Sequence, residues 1–429
     1  MAGEEDGETE EDAFGNAAGG GRPAEHTPTE LPGLVFVSEK DLAYAEAFAI
    51  YTYQREESLF RLIDVFGNGG ARYLLVPEGA EIPEELRSAI NAESQNTLRN
   101  ISRNASQDNS TGQEITSGQG SSVSLVNSAG ALSAGGITVL QAPLENLYVA
   151  ATSSMALFDA AGAIGQVKLT GTDVKGWYID APKQALESGS MIYAGKYSAP
   201  DYELLTSSGC DLAVESMMIL HAPEVKEKLE ELGIPVFIDT SSSESHPMGR
   251  TEWVRLYGVL TGHEKEADAF FAGQLETFAE TGSYTETGKT AAFFSITSVG
   301  NVVVRAADDY IPRMIELAGG EYVFRDLAAE TGSSASVRLS MEDFYNTAKD
   351  ADYLIYNATI EKPVGSIREL CGKFALLSDF KAVREGHVWQ ARGNLYQSPD
   401  IAAQMITDLR RMLTGENESE MIFLEKVGD

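Results

Sequence analysis

Apolar and polar residues alternate along residues 34–79 in four short runs, LVFVS, FAIYTYQ, FRLIDVFG and ARYLLVPEG. This period of two is typical of strands that bury one face. Gly67-Asn68-Gly69-Gly70 separates two of the runs and favours a turn between paired strands. The pattern therefore predicts a small antiparallel β-meander over residues 34–79.

From Ile137 onwards, short apolar runs alternate with segments of helical spacing. The strand-like runs are ITVLQAP, QVKLTG, MIYAG, DLAVE, IPVFID, AAFFSI, DYLIYN and EGHVWQA. The helical segments are residues 144–162, IDAPKQALESG, SAPDYELLTSSG, PEVKEKLEELG, DDYIPRMIELAGG, SMEDFYNTAK and DIAAQMITDLRRML. Right-handed crossovers between such elements give parallel sheets with helices on both faces, so we predict an α/β fold.

The longest helical pattern covers residues 247–281, and Gly262 interrupts it. A glycine at this place indicates two collinear or kinked helices. Because α/β segments lie on both sides of this pattern, we predict two Rossmann-like lobes. The first lobe is expected over residues 33–246, an interdomain helix over 247–282 and the second lobe over 283–429.

Two regions lack the apolar residues that a core needs. Residues 92–135 are rich in Ser, Asn, Gly and Gln, which predicts a flexible surface insert. Residues 1–32 are acidic and rich in glycine, which predicts a disordered tether. We expect an exported lipoprotein, held at a membrane, whose signal peptide and lipid-bearing cysteine lie outside this sequence. The alternative is an intracellular protein with a disordered tail.

Charge and cysteine usage exclude several kinds of partner and site. The formal net charge is −33, from 65 acidic against 32 basic residues, which argues against nucleic acid and anionic membrane surfaces as partners. Cys210 and Cys371 lack neighbours at metal-ligand spacing, so we predict no zinc site. Burial of Cys210 as a small apolar residue and a disulfide between the two cysteines both remain open.

Four segments in serial order carry a family resemblance: LENLYVAATSSMALFDAAGAIGQVKLTG, AGKYSAPDYELLTSSGCDLAVES, LEELGIPVFIDTS and EWVRLYGVLTGHEKEADAFF. Their order resembles the class III substrate-binding proteins of bacterial ABC importers, the receptors for iron–siderophores, haem and cobalamin. The resemblance covers the chain from Ile137 onwards. It implies two lobes joined by a rigid helix, a ligand held between them, an ABC permease as partner and a monomer. It implies neither catalysis nor an intrinsic cofactor, since the metal chelate is the transported ligand.

Loops that follow parallel strands line the crevice of an open sheet, so residues after the strand DLAV are expected at the ligand. These residues are Glu215, Met217 and Met218. Methionine is soft and adaptable and suits a bulky apolar chelate. The alternative is that both methionines pack beneath a helix.

Two further first-lobe loops carry candidate ligand residues. Trp177 and Tyr178 follow QVKLTG and would form an aromatic wall, unless one of them only covers the lobe interior. Lys196 and Tyr197 follow MIYAG and would bind an anionic oxygen of the chelate. A solvated surface position is the alternative for Lys196.

His246 and Arg250 lie between the last first-lobe strand and the long helix. His246 would supply an axial ligand to haem or cobalt, or else cap a helix. Arg250 would contact the ligand or brace the hinge. In the second lobe, Arg305 is the best candidate for an anion clamp, because a guanidinium matches carboxylate geometry. Tyr356 ends the strand YLIYN and is also expected at the crevice. Asn357 follows Tyr356 and is expected at the same crevice, and the weaker candidates in the second lobe are Gln390, Asn394 and Tyr396.

The family pattern also implies one acidic docking residue per lobe for the permease. Matching HAPEVKEKL and LSMEDFYNTAKDADYLIY to that pattern gives Glu224 and Glu342. Each lies in the first turn of a predicted helix, where the helix dipole alone favours an acid. The structural role is therefore a complete alternative.

Two other functions remain open, an enzyme with a chelatase-like two-lobed fold and a stand-alone binding or scavenging module. The chain contains no glycine-rich phosphate loop after a strand, no GxSxG and no HExxH, so we predict a receptor and not an enzyme. The histidines are scattered without ligand-like spacing, so we expect no bare-metal site.

Overall fold

The computed structural model describes residues 28–67, 70–92, 132–134, 136–297, 300–328, 336–359 and 362–428. The predicted tether as far as residue 27 and almost all of the predicted insert lie outside these residues. Within the described parts of the chain, no helix is both long and apolar enough to cross a bilayer.

A six-stranded sheet forms the N-terminal part of the described chain. Its strands are β1 (Val35–Glu39), β2 (Phe48–Arg55), β3 (Ser58–Val65), β4 (Arg72–Val76), β5 (Leu132–Ala134) and β6 (Ile137–Gln141). The order is β1-β2-β3-β4-β6-β5, with β1 to β4 antiparallel, so the predicted meander is confirmed. Strand β6 pairs with β4 in parallel, so ITVLQAP belongs to this sheet and not to the next one.

Strands β2 to β4 bury residues on both faces of this N-terminal sheet, whereas all five residues of the edge strand β1 are exposed. Successive strand residues point to opposite faces, and Ile50 and Tyr51 accordingly enter two different cores. One face packs under helix α1, which covers residues 84–92. The other face joins the core of the first lobe, where Phe48 meets Trp253 at 5.0 Å between ring centroids. The meander is therefore an integral part of the first lobe.

The first lobe is built on a parallel sheet. Its strands are β7 (Leu147–Val149), β8 (Val167–Thr170), β9 (Ile192–Tyr193), β12 (Leu212–Ser216) and β13 (Val236–Asp239), with a hairpin of β10 (Gly195–Lys196) and β11 (Ala199–Pro200). The order is β13-β12-β7-β8-β9. The helices are α2 (Thr152–Ala160), α3 (Asp180–Ser188), α4 (Tyr202–Ser207) and α5 (Pro223–Glu231).

The prediction of one helix over residues 144–162 is wrong in its first half. The helix begins at Thr152, and Leu147–Val149 forms the central strand β7. All three residues of β7 are buried, because sheet neighbours and helices cover both faces. A short apolar run of this kind fits a buried strand as well as a helix, so spacing alone does not distinguish them.

The second lobe is a mixed sheet. Its strands are β14 (Thr290–Ile296), β15 (Val302–Arg305), β16 (Glu321–Tyr322), β17 (Ser336–Leu339), β18 (Tyr353–Tyr356), β19 (Val388–Ala391) and β20 (Leu424–Lys426). Strands β14, β18 and β19 are parallel, as predicted from AAFFSI, DYLIYN and EGHVWQA. Strands β15, β17 and β20 extend the sheet in antiparallel pairing. The helices are α8 (Tyr310–Leu317), α9 (Met341–Ala348), α10 (Ile367–Lys373), α11 (Lys381–Glu385) and α12 (Ala402–Thr414).

Two helices link the lobes, α6 (Pro247–Thr261) and α7 (Glu264–Thr281). Gly262 ends α6 with a φ of 77°, so the predicted break is confirmed. The helices are not collinear, because the ring of His246 before α6 lies 5.6 Å from that of Phe278 near the end of α7. Gly258 permits this fold-back, since a Cβ there would lie 2.5 Å from the Cβ of Ala267. The range predicted as one interdomain helix is thus a helical hairpin.

Candidate functional site

The lobes meet where the loops after β8 and β19 touch. The Gln397 side chain accepts a hydrogen bond from the Tyr178 N–H and donates one to the Gly176 carbonyl, each at 2.8 Å. The Tyr178 ring lies against Gly393, where a Cβ would come within 2.3 Å of the ring. Because both loops follow the carboxyl ends of parallel strands, this junction has the position expected for a ligand crevice.

Arg250 lies at the same interface, one turn into α6. Only 5% of the residue is exposed, and its guanidinium carbon lies 3.9 Å from the centre of the Tyr310 ring in the second lobe. Its Nε has no hydrogen-bond partner, and no carboxylate pairs with it in the described part of the chain. A buried cation without a counter-charge is costly, so the site favours an incoming anion.

Arg305, the predicted anion clamp, is already paired. Its Nε donates to Asp309 Oδ1 at 2.9 Å, its Nη2 pairs with Asp309 Oδ2, and its Nη1 donates to Ser336 Oγ at 2.9 Å. Burial works against the charge, but the hydrogen bonds and charge of Asp309 raise the pKa of Arg305 above its usual range. Because its charge is compensated within the second lobe, Arg305 is a weaker anion site than Arg250.

The predicted aromatic and basic residues of the first lobe lie in different environments. Trp177 is 2% exposed and packs in the lobe core, with its Nε1 donating to the Thr172 carbonyl at 3.1 Å. Tyr178 is 59% exposed. Lys196 is exposed on β10, and Tyr197 is half-buried. Tyr178 and Lys196 are therefore accessible to a ligand, whereas Trp177 covers the lobe interior.

Glu215 ends β12 but points into the lobe and not into the crevice. The residue is fully buried beside Tyr148 and Cys210, and neither carboxyl oxygen has a hydrogen-bond partner among the described residues. Burial raises the pKa of Glu215 to about 8. The carboxyl group is therefore mainly protonated at neutral pH. Met217 is half-buried and Met218 is 49% exposed.

His246 caps the helix that follows it. Its Nδ1 accepts a hydrogen bond from the Met248 N–H at 3.1 Å, and its ring stacks on Tyr44 at 4.5 Å. Burial, together with the charge of Arg313, lowers the pKa of His246 to about 4. The ring is thus neutral at pH 7 and uses one nitrogen in capping, which was the alternative to a metal-ligand role.

The second-lobe residues after β18 and β19 form an internal network. Tyr356 is fully buried in the lobe core. Asn357 Nδ2 donates to the Tyr396 hydroxyl at 3.0 Å, and Gln390 bonds to Val364 and Glu425. Asn394 is half-buried. Most of these side chains make contacts within the second lobe and are poorly placed to bind a ligand.

The two predicted docking residues have the required exposure. Glu224 lies in the first turn of α5 and Glu342 in the first turn of α9, and both side chains are exposed. Their docking role stays a prediction.

Two spaces differ greatly in size and position. The space beside Arg250, lined also by Tyr310 and Leu395, holds about 10 Å³. A cavity of about 460 Å³ lies elsewhere, between the N-terminal sheet and the β13 edge of the first lobe. Ligand pockets for drug-sized molecules measure roughly 300–1,000 Å³. A chelate therefore reaches Arg250 only if the lobes separate.

Neither a metal cluster nor a disulfide is built from the described residues. They contain no group of three or more His, Cys, Asp or Glu side chains placed to hold a metal ion. Both cysteines are free. Burial raises the pKa of the Cys210 thiol to about 12, as expected for an apolar core residue.

Sequence reasoning missed Tyr310, Gln397 and Tyr44. Tyr310 opens α8, and Gln397 lies one residue beyond the last weak candidate, Tyr396. No local pattern distinguishes either residue. Tyr44 lies before Ile137, outside the segments that carry the family resemblance.

A protein-family model described as periplasmic binding protein matches residues 149–395. Two uncharacterized lipoproteins of Methanocaldococcus jannaschii are each 25% identical to the chain, over 65% and 53% of its length. The matches span 67% and 60% of those two proteins.

Two solved structures are similar in fold. A periplasmic binding protein of Veillonella parvula has a TM-score of 0.52 and 16% identity, over 65% of this chain and 93% of that one. A candidate iron-binding (periplasmic solute-binding) protein of Staphylococcus epidermidis has a TM-score of 0.50 and 17% identity, over 63% of this chain and 99% of that one.

Proposed function

Because the chain belongs to the periplasmic binding protein family, we propose that it is the extracytoplasmic receptor of an ABC importer for a metal chelate. The family consists of solute-binding proteins and not of enzymes, and it works with ABC permeases. An iron–siderophore is our first choice of ligand, with haem and cobalamin next. The similarity to a candidate iron-binding protein of Staphylococcus epidermidis agrees with this choice.

The buried guanidinium of Arg250 at the lobe interface supports this proposal, because its Nε has no hydrogen-bond partner and no carboxylate among the described residues pairs with it. A charge-assisted hydrogen bond donated by this group to a chelate oxygen would satisfy it. We therefore favour an anionic chelate, with catecholate or carboxylate oxygens, over a neutral one. The exposed Tyr178, Lys196 and Met218 would contact the body of the chelate once the lobes separate.

We further propose that the protein is a tethered lipoprotein. Both curated relatives in Methanocaldococcus jannaschii are described as lipoproteins. A tether keeps a receptor close to its permease and raises its effective concentration there. The docking contacts would be made by Glu224 and Glu342.

The ligand proposal is tested by titrating the purified chain with a ferric catecholate, a ferric hydroxamate, haem and cyanocobalamin, followed by absorbance and native mass spectrometry. We expect one-to-one binding of an anionic iron chelate, with a dissociation constant at or below about 1 µM. Weaker binding of the neutral hydroxamate would support the role of Arg250. If none of the four compounds binds, the chelate receptor is rejected in favour of a receptor for another solute.

A further inference from the structure

Two buried carboxylates accept hydrogen bonds from five consecutive backbone N–H groups in the link between β1 and β2. Glu252 accepts hydrogen bonds from residues 43, 44 and 45 at 2.9, 2.7 and 2.9 Å. Glu244 accepts from residues 46 and 47 at 3.0 and 2.9 Å. Glu252 lies on α6 and Glu244 in the loop before it, and they are 0% and 4% exposed. The β1–β2 link is thus fixed to the first linking helix.

The close approach of this link depends on a glycine. A Cβ at Gly249 would lie 3.0 Å from the Tyr44 carbonyl oxygen and 3.1 Å from Glu244 Oε2. Glu244 also accepts a hydrogen bond from Trp253 Nε1 at 2.9 Å. The surface of α6 therefore accommodates the link at close range. The Glu244 carboxylate that binds the link is itself held by the Trp253 side chain of α6.

The same link reaches the second linking helix. Lys40 Nζ and Arg255 Nε bind the two oxygens of Asp268 on α7, at 2.9 and 2.8 Å. Arg255 Nη1 also binds Glu252 at 2.8 Å and the Asp41 carbonyl at 2.7 Å. One arginine thus connects the link, α6 and α7.

Tyr44 extends these contacts to the point where the helices approach the second lobe. Its ring stacks on His246 at 4.5 Å and meets Phe278 edge-on at 5.7 Å. The charge of Arg313, on α8 of the second lobe, also contributes to lowering the pKa of His246. The residues next along α6 touch that lobe directly, since Thr251 Oγ1 donates to the Pro399 carbonyl at 2.7 Å.

We infer that residues 40–47 form a brace that fixes the angle between the linking helices and so sets the separation of the lobes. Glu244 and Glu252 are its positioning residues, and Tyr44 is its contact at the hinge. The N-terminal sheet is then a regulator of lobe geometry and not a separate binding domain. A hinge held from one side in this way moves less than a bare helix pair.

The brace is tested on the full chain without ligand, by measuring the distance between spin labels on the two lobes. Labels are attached at Glu227→Cys and Arg384→Cys, both exposed, in a Cys371→Ser background. We expect one narrow distance distribution for the parent protein. Glu252→Gln and Tyr44→Ala should each broaden it and shift it towards longer distances.

Two matched variants serve as controls. Tyr44→Phe keeps the stacked ring, and Glu57→Gln removes an exposed acid from the turn between β2 and β3; both should leave the distribution unchanged. If Glu252→Gln does not fold, Tyr44→Ala still decides, because Tyr44 is only half-buried. Variants that melt at lower temperature while keeping the parent distance distribution would show that the link only stabilises the fold, and would overturn the brace.

Discussion

At pH 9, the Glu215→Gln variant is expected to be markedly more stable towards unfolding than the native chain, whereas at pH 5 the two should be similar. Burial raises the pKa of Glu215 to about 8 in the folded state, against roughly 4.3 for an unfolded glutamate. Between these values the folded state binds the extra proton, so stability falls as pH rises through this window. The linkage amounts to about 4 kcal/mol between pH 5 and 9.

Urea unfolding of both proteins at pH 5, 7 and 9 measures this effect. Glutamine has the same shape but does not ionise, so its introduction removes the pH dependence that arises at this position. Glu227→Gln is the control, because it removes an equivalent charge from an exposed site on α5. Native and Glu215→Gln chains that lose the same free energy of unfolding between pH 5 and 9 would show that Glu215 is not a buried protonated acid.

Arg250→Met is expected to weaken binding of the anionic chelate by about 100-fold while leaving the fold intact. Removing one partner of a buried, hydrogen-bonded charge pair costs about 2–5 kcal/mol of binding free energy. Methionine fills a similar volume without a charge. No carboxylate among the described residues loses its partner when Arg250 is replaced. Isothermal titration with the chelate that binds the native chain measures the change.

Arg338→Met is the control for this experiment, because it removes an exposed arginine from β17 in the second lobe. Its affinity should stay within about twofold of the native value, as expected for a screened surface charge. Equal affinity of the native and Arg250→Met chains would place the ligand away from the interface between α6 and Tyr310. The cavity of about 460 Å³ beside the N-terminal sheet would then be the next site to examine.

Much of the fold follows from sequence where one pattern has one interpretation. IPVFID and DYLIYN are apolar runs too short for a helix, and both form buried parallel strands. The amphipathic PEVKEKLEELG, with proline at its start and glycine at its end, forms α5. Patterns with two interpretations led to errors. The run LYV fits a helix and a strand alike, and VVVR, which was not among the predicted strands, forms β15.

The direction of α7 relative to α6 could not be predicted from the sequence. Gly262 correctly marks a helix end, but its φ of 77° alone does not tell whether the next helix continues or folds back. Packing decides this, since α7 returns along α6 by placing Ala267 against Gly258.

The candidate site could be located from sequence only to the level of loops. Tyr178, Met218 and Lys196 lie after strand ends and are exposed as expected. Glu215 lies at a strand end too, but it points beneath the neighbouring helices, because the strand alternation places it on that face with Ala213. Tertiary packing also sets the separate roles of Arg250 and Arg305, since only Arg305 has an acid four residues away in the right position.

We propose that the protein delivers its ligand to a permease through one acidic residue on each lobe. The direct test is uptake of the bound chelate, in cells that lack their own receptor for it and express the cognate permease with either the native chain or a Glu224→Ala, Glu342→Ala double variant. We predict that uptake is lost while the affinity of the purified variant for the chelate is unchanged, because both side chains are exposed whereas the contacts of Arg250 are buried. Uptake at the native rate, with both carboxylates gone, would contradict the importer account.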